Sequence, residues 1–323
     1  MDMTSELSDK TKSLNQSGAF LQIHVINQLQ NNGWNVMSEY PIHLSPFLDL
    51  PKKNPIIHSR IIAGRIPEPL SFVRAANESM DKTTVKETSI DVIAGKTVNQ
   101  YCFNLCIESK KLDPRFSDWV FFQQLEYKQG FHYFRRSYFA NGEPILLSTP
   151  ELGSQKETFL TVNKAIADFK YPICDFVLSL KNKEIERDYY KSDKTKVDES
   201  ARQIMEGTYG FMIERILHHI LQNEPILGRS DTDYFIPIVV TNANLFMCDF
   251  DKDSIDSSSG HLKKEPVYTP VDGIIYECPV PKTVQFPDPI EANTTSVENN
   301  LIRKWHVLIL TPKGLTEFLS NWK

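Results

Sequence analysis

Three polar residues in two neighbouring apolar segments could carry chemistry: Asp91, Glu108 and Lys110. Residues 89–94 and 101–110 have the composition of strands, and the polar stretch 95–100 predicts a turn between them. Side chains alternate along a strand, so Glu108 and Lys110 share a face. Antiparallel pairing that buries both apolar sets places Asp91 on that same side. Two carboxylates and an ammonium group are therefore predicted to converge at the end of a buried hairpin.

Carboxylates held this close repel each other unless a cation lies between them. A hard cation such as Mg²⁺, for which Mn²⁺ can substitute, binds oxygen ligands of this kind, and we expect the two carboxylates to lie roughly 4–6 Å apart. Such a cation lowers the pKa of a bound water and neutralises charge on a phosphate under attack. Lys110 would orient that water, help to deprotonate it, or stabilise the developing negative charge.

The elements around this hairpin predict an α/β fold. A helix is expected from about Ser17 to the αL-tolerant sequence Asn31-Asn32-Gly33, followed by a strand at 34–42. A second helix, which Asp198 can cap, precedes a nearly continuous apolar strand at 234–240, typical of a sheet covered on both faces. The remaining predicted elements are strands at 244–250 (a neighbour of 234–240), 271–276 and 305–310, and a closing helix at 314–322. The pattern indicates a mixed sheet with helices on both faces.

The domain organisation follows from the stretches that lack such periodicity. We expect a single domain over 1–323 that begins with a flexible lead-in at 1–16. Residues 43–86 carry five prolines and little periodicity, and 112–195 have a mixed pattern, so both are interpreted as large insertions into the core.

Composition narrows the class of protein. The chain is 41% apolar and 24% charged, an ordinary globular balance. No apolar run approaches the ~18 residues of a membrane span, and residues 1–16 have no apolar signal core, so we expect neither a membrane protein nor a secreted one. The five cysteines form no CxxC pair, which disfavours a zinc site and favours a reducing cytoplasm. A net charge of −5 means that any contact with nucleic acid must be local.

An acidic residue on one strand and E-x-K on the next, here Asp91 and then Glu108-Ser109-Lys110, resembles the PD-(D/E)XK, or restriction-endonuclease-like, family of nucleases. The resemblance covers about half the chain: 17–40, 87–111, 196–250 and, more loosely, the last twenty residues. It implies a restriction-endonuclease-like mixed sheet. It also implies that Asp91 and Glu108 bind the metal with the backbone carbonyl of Ser109, and that Lys110 is the catalytic lysine. Many members add an acidic residue on the first helix, where this chain has Gln22.

The resemblance implies a Mg²⁺-dependent nuclease that hydrolyses phosphodiester bonds, of DNA in preference to RNA. The insertions would select the substrate, and a protein partner or a homodimer is compatible with this interpretation. A role in restriction or anti-phage defence rests on analogy between folds alone. Two alternatives stay open. One is a catalytically inactive relative that binds nucleic acid or a partner, which Gln22 in place of a helix acid and the acidic overall charge leave open. The other is an unrelated α/β protein in which Glu108 and Lys110 form only a solvated surface pair.

Overall fold

The computed structural model describes residues 17–43, 87–98, 101–112, 118–123, 134–138, 144–147, 171–180, 195–222, 232–279, 304–320 and 322. The helices in this part of the chain are α1 (Ala19–Asn31), α2 (Thr195–Gln222) and α3 (Pro312–Ser320), with a short 3-10 helix at Lys252–Ser254. The strands are β1 (Asn35–His43), β2 (Glu87–Val98), β3 (Tyr101–Lys110), β4 (Asp118–Gln123), β5 (Phe134–Tyr138), β6 (Pro144–Leu147), β7 (Ile173–Leu180), β8 (Thr232–Thr241), β9 (Asn244–Asp249), β10 (Val267–Val271), β11 (Gly273–Pro279) and β12 (Lys304–Leu310).

These strands form one mixed sheet in the order β1-β2-β3-β8-β12-β11-β7-β4-β9-β10. β1, β2 and β3 are antiparallel neighbours, and β3 then runs parallel to β8 over its whole length. β12 lies parallel to the C-terminal half of β8, whereas β5 pairs antiparallel with its N-terminal half and carries β6. The hairpin predicted to carry the chemistry is thus held between β1 and the central strand β8.

Helices cover both faces of the sheet, as predicted. The apolar side of α2 packs on one face, in a cluster that includes Val197, Ala201, Ile204, Ile93 and Cys106. α1 and α3 pack on the other, in a cluster that includes Val25, Leu29, Leu315, Phe318, Val92, Leu105 and Ile107. The side chains of 233–241 are all buried, because β8 lies under helices on both sides. The prediction that 234–240 share a sheet with 101–110 is confirmed.

The predicted turn at 95–100 is wrong for residues 95–98. β2 runs on to Val98, and Gly95 to Val98 pair with β3 down to Tyr101. The polar residue that made this stretch resemble a turn is held in place: Lys96 Nζ donates to the carbonyl oxygens of Asn32, at 3.1 Å, and of Trp322, at 2.9 Å. Tertiary contacts made by a charged side chain therefore extend the strand where local composition indicated a loop.

The predicted strand at 271–276 is two strands. β10 ends at Val271 and pairs with β9, while β11 begins at Gly273 and lies between β12 and β7. Asp272 separates them because its carbonyl oxygen accepts from the Thr311 backbone N–H at 3.0 Å and its carboxylate from the Thr311 hydroxyl at 2.9 Å. The expectation that 244–250 neighbours 234–240 is also wrong, since β9 pairs with β4 and β10.

Helix ends follow local hydrogen bonds. α1 ends at Asn31, as predicted, with Gly33 at φ 75°. Asp198 does not cap α2, which begins at Thr195; its carboxylate accepts a hydrogen bond from the hydroxyl of Tyr276 on β11. α3 begins two residues earlier than predicted because the Thr311 hydroxyl accepts from the backbone N–H of Gly314 at 3.0 Å.

The stretches interpreted as insertions differ in outcome. The lead-in at 1–16 and residues 44–86 lie outside the described residues. From 112–195, β4 and β7 join the main sheet between β11 and β9, and β5 joins the edge of β8. These strands extend the sheet that carries Asp91 and Glu108 rather than forming a separate layer.

Candidate metal centre

Asp91 and Glu108 come next to each other at one end of the β2–β3 hairpin. The ladder between the strands ends at Val92 opposite Ile107, so Asp91 and Glu108 are the residues that follow it. The backbone N–H of Ser109 donates to Asp91 Oδ2 at 2.7 Å, which fixes one carboxylate oxygen beside the chain that bears the other carboxylate. β3 continues along β8 as far as Lys110 opposite Thr241, so a parallel strand supports this end of β3.

The Glu108 side chain is unusually costly to ionise. The residue is only 5% exposed, and its Oε2 is buried with no hydrogen-bond partner among the described residues. Burial first, and then the charge of Asp91, raise the pKa of Glu108 to about 8, although Lys110 lowers it. A carboxylate buried without a donor or counter-charge costs several kcal/mol. In the absence of a cation, Glu108 is therefore held largely protonated near neutral pH.

The pKa of Asp91 is also raised, as the net result of opposing effects. Burial raises its pKa most, the hydrogen bond from Ser109 lowers it, the charge of Glu39 raises it and that of Lys110 lowers it. Both carboxyl groups therefore lie where a positive charge would stabilise their ionised forms. The residues fit a hard cation: the donors are oxygens, and Glu108 Oε2 is an oxygen that no donor in the described chain satisfies.

Lys110 is half-buried at the end of β3, and its charge acts on both carboxyl groups. Within the described residues, no hydrogen bond or ion pair joins Lys110 to Glu108. The alternative of a solvated surface pair is contradicted by the burial of Glu108. The structure thus brings all three predicted residues to the same end of the hairpin, with the lysine not neutralised by direct contact with Glu108.

Ser109 contributes in a way that differs from the expectation. Its backbone N–H positions Asp91, and its Oγ is a second buried oxygen without a partner in the described part of the chain. The role predicted for its carbonyl, as a metal ligand, stays a prediction.

Sequence reasoning missed Glu39. Glu39 lies on β1 opposite Asp91, between the paired positions Ser38–Val92 and Tyr40–Ile90. Its φ of 51° is in the left-handed region, and it makes no ladder pair with Asp91. Because Glu39 is one of several polar residues on an exposed edge strand, nothing in its local pattern marks it.

The irregularity at Glu39 also corrects the predicted facing of β2. Regular alternation predicts that Ile90 shares a face with Val92, but Ile90 packs in the cluster under α2, whereas Val92 packs in the cluster under α1. The regular alternation of β2 is therefore interrupted around Asp91, where the β1–β2 ladder lacks a pair.

Gln22 on α1 lies within this group. Its Nε2 donates to Glu39 Oε1 at 2.6 Å and to the backbone carbonyl oxygen of Asp91 at 3.2 Å. The Gln22 amide thus joins the Glu39 side chain to the backbone of Asp91.

The ligand set available in this geometry is small. Across the described residues, no three His, Cys, Asp or Glu side chains are already grouped closely enough to hold a metal ion. A cation at this end of the hairpin would rest on Asp91, Glu108 and oxygens from the backbone or water, which suits Mg²⁺ because it retains several waters.

No protein-family model matches this chain, and neither a curated protein nor a solved structure matches it. None of the helices in the described ranges is long and apolar enough to cross a membrane.

Proposed function

We propose that the protein is a Mg²⁺-dependent nuclease of the restriction-endonuclease-like type, acting on DNA in preference to RNA. The observation that carries the proposal is the buried Glu108 carboxylate. It lies next to Asp91 at a strand end and has one oxygen that no donor in the described chain satisfies. A stable fold seldom retains such a pair without a use, because apolar residues of the same size would cost less.

Each residue has a distinct role in this proposal. Asp91, oriented by the Ser109 N–H, and Glu108 bind the cation. When bound, Mg²⁺ supplies a water of lowered pKa and neutralises charge on the scissile phosphate. Lys110, whose charge acts on both carboxyl groups, stabilises the negative charge that develops on the phosphate or holds the attacking water.

The test is cleavage of supercoiled plasmid, and of an RNA of similar length, with and without Mg²⁺. Asp91→Asn and Glu108→Gln are the informative variants, since both keep the side-chain size. In Asp91→Asn the amide oxygen can still accept the hydrogen bond from the Ser109 N–H. We expect each substitution to lower the cleavage rate at least a hundredfold. Glu265→Gln is the matched control, because Glu265 is exposed and the substitution removes the same charge elsewhere.

Two outcomes would count against this function. If Asp91→Asn and Glu108→Gln cleave as fast as the wild type, the chemistry lies elsewhere in the chain. If the wild type binds DNA or RNA but cuts neither in Mg²⁺ or Mn²⁺, the protein is a catalytically inactive relative, the alternative that Gln22 on the first helix leaves open.

A further inference from the structure

We propose that Asn242, the residue that follows β8, is a positioning residue that holds Lys110 beside the two carboxyl groups. This inference rests on the proposed function for the role of Lys110, and it adds a residue from a distant part of the chain to the same site. Asn242 lies 132 positions beyond Lys110 in an exposed turn, so nothing in the local sequence marks it.

Lys110 lies between two backbone N–H groups that donate to side-chain oxygens from other strands. The N–H of Ser109 donates to Asp91 Oδ2, and the N–H of Leu112 donates to Asn242 Oδ1, both at 2.7 Å. Among the described residues, none accepts a hydrogen bond from the Lys110 ammonium group itself. Because lysine carries its charge on a flexible four-carbon stem, the backbone on either side decides where that charge acts.

Asn242 is exposed, but its two neighbours anchor it in the core. Thr241 is fully buried, and Ala243 is only 3% exposed. The hydroxyl oxygen of Thr241 accepts from the backbone N–H of Ala243 at 3.1 Å, which closes the turn after β8. Leu112 is buried in the same cluster under α2 as Ala243. The hydrogen bond from Leu112 to Asn242 therefore joins two segments that the core already holds.

This contact lies between two pairs of parallel strands. β3 pairs with β8 as far as Lys110, and β4 begins its parallel ladder with β9 at Asp118. The buried N–H of Leu112 lies beyond the last β3–β8 pair, and the side-chain oxygen of Asn242 accepts from it as a backbone carbonyl would. Loss of this oxygen would free the chain just after Lys110, whereas the hydrogen bond that orients Asp91 would remain.

The test is a double-mutant cycle that combines Asn242→Ala with Lys110→Ala, read as the rate constant of plasmid cleavage at saturating plasmid and Mg²⁺. In the wild-type background, Asn242→Ala should lower the rate constant about tenfold, since small displacements of a catalytic group have effects of this order. In the Lys110→Ala background it should change the rate constant by less than about twofold, because its effect passes through Lys110.

Asn244→Ala is the matched control. It removes the same side chain two residues further on, where the amide donates to Asp118 Oδ1 at 2.8 Å instead of accepting from Leu112. Asn244→Ala should therefore cleave as the wild type does. Mn²⁺ binding, measured by the paramagnetic resonance signal of the free ion, should be the same in Asn242→Ala and the wild type because both carboxylates are retained.

A spectroscopic measurement reports on Lys110 without turnover. Methylation of the lysine amino groups with a ¹³C label keeps their charge, and the Lys110 resonance is assigned by its loss in Lys110→Ala. Asn242→Ala should shift this resonance, and Asn244→Ala should leave it in place. A merely structural role of Asn242 would lower the free energy of unfolding without moving the Lys110 resonance.

The outcomes separate this inference from the proposed function. If Asn242→Ala lowers cleavage by the same factor in both backgrounds, it does not act through Lys110 and the inference is wrong. The inference is also wrong if Asn242→Ala changes neither the cleavage rate nor the Lys110 resonance. If the wild type cleaves no nucleic acid, the nuclease function falls. A resonance that shifts in Asn242→Ala and not in Asn244→Ala then still supports the positioning of Lys110, and an unshifted resonance overturns it.

Discussion

Replacing Glu108 with glutamine should make the metal-free protein more stable at neutral and alkaline pH. Glu108 has its pKa raised from 4.5 to about 8, which at about 1.4 kcal/mol per pH unit corresponds to roughly 5 kcal/mol. The folded state retains a proton on Glu108 that the unfolded chain releases above pH 4.5. The contribution of Glu108 to stability is therefore fully present below pH 4.5 and is lost as the pH rises to about 8.

The measurement is denaturant unfolding at about pH 5, 6.5 and 8 in the presence of a chelator. The free energy of unfolding of the wild type should fall by several kcal/mol from the lowest to the highest pH. That of Glu108→Gln should fall much less, because glutamine has no proton to release. At the highest pH the variant should be the more stable of the two by up to roughly 5 kcal/mol. Glu265→Gln, at an exposed position, should follow the wild type.

At the highest pH, Mg²⁺ should narrow the difference in the free energy of unfolding between Glu108→Gln and the wild type. A cation that binds only the folded state stabilises it by about 2.7 kcal/mol at a hundred times its dissociation constant. The wild type should gain this stabilisation from the bound cation, and Glu108→Gln should not. An identical pH dependence in the two proteins without metal would refute the reasoning, since it would mean that Glu108 ionises in the fold as freely as in the unfolded chain.

Three further predictions concern single substitutions. Lys110→Ala should keep the thermal stabilisation by Mg²⁺, because the ligands remain, while cleavage falls about a hundredfold; loss of both would place Lys110 among the structural supports of the metal instead. Glu39→Gly should raise the free energy of unfolding without metal by about 0.5–1 kcal/mol, since glycine adopts φ 51° without strain, and denaturant midpoints would show this. Gly314→Ala should lower the free energy of unfolding by about 2–3 kcal/mol, because a Cβ there would lie 1.9 Å from the backbone oxygen of Asp272. An unchanged melting temperature would mean that α3 can move away from Asp272 at little cost.

Much of the fold was predictable because periodicity reports burial directly. The alternation that pairs 89–94 with 101–110, and the apolar run at 234–240, predict strands whose faces must be covered, and the structure covers them. The order of neighbours in the sheet was not predictable in the same way. Which strand lies beside β8 depends on contacts between segments far apart in sequence, which no local pattern encodes.

The sequence by itself determined the types and spacing of the acid, the E-x-K motif and the strands that bear them, because alternation along a strand is a local property. Only the tertiary structure decided how much free energy it costs to ionise the two carboxyl groups. Glu108 is buried once β3 is paired between β2 and β8, and burial is the largest cause of its raised pKa. Glu39 reaches the same end of the sheet because an irregular β1 pairs with β2 and α1 brings Gln22 against it. Burial and convergence arise from chain segments separated by tens of residues, so they appear only once the chain is folded.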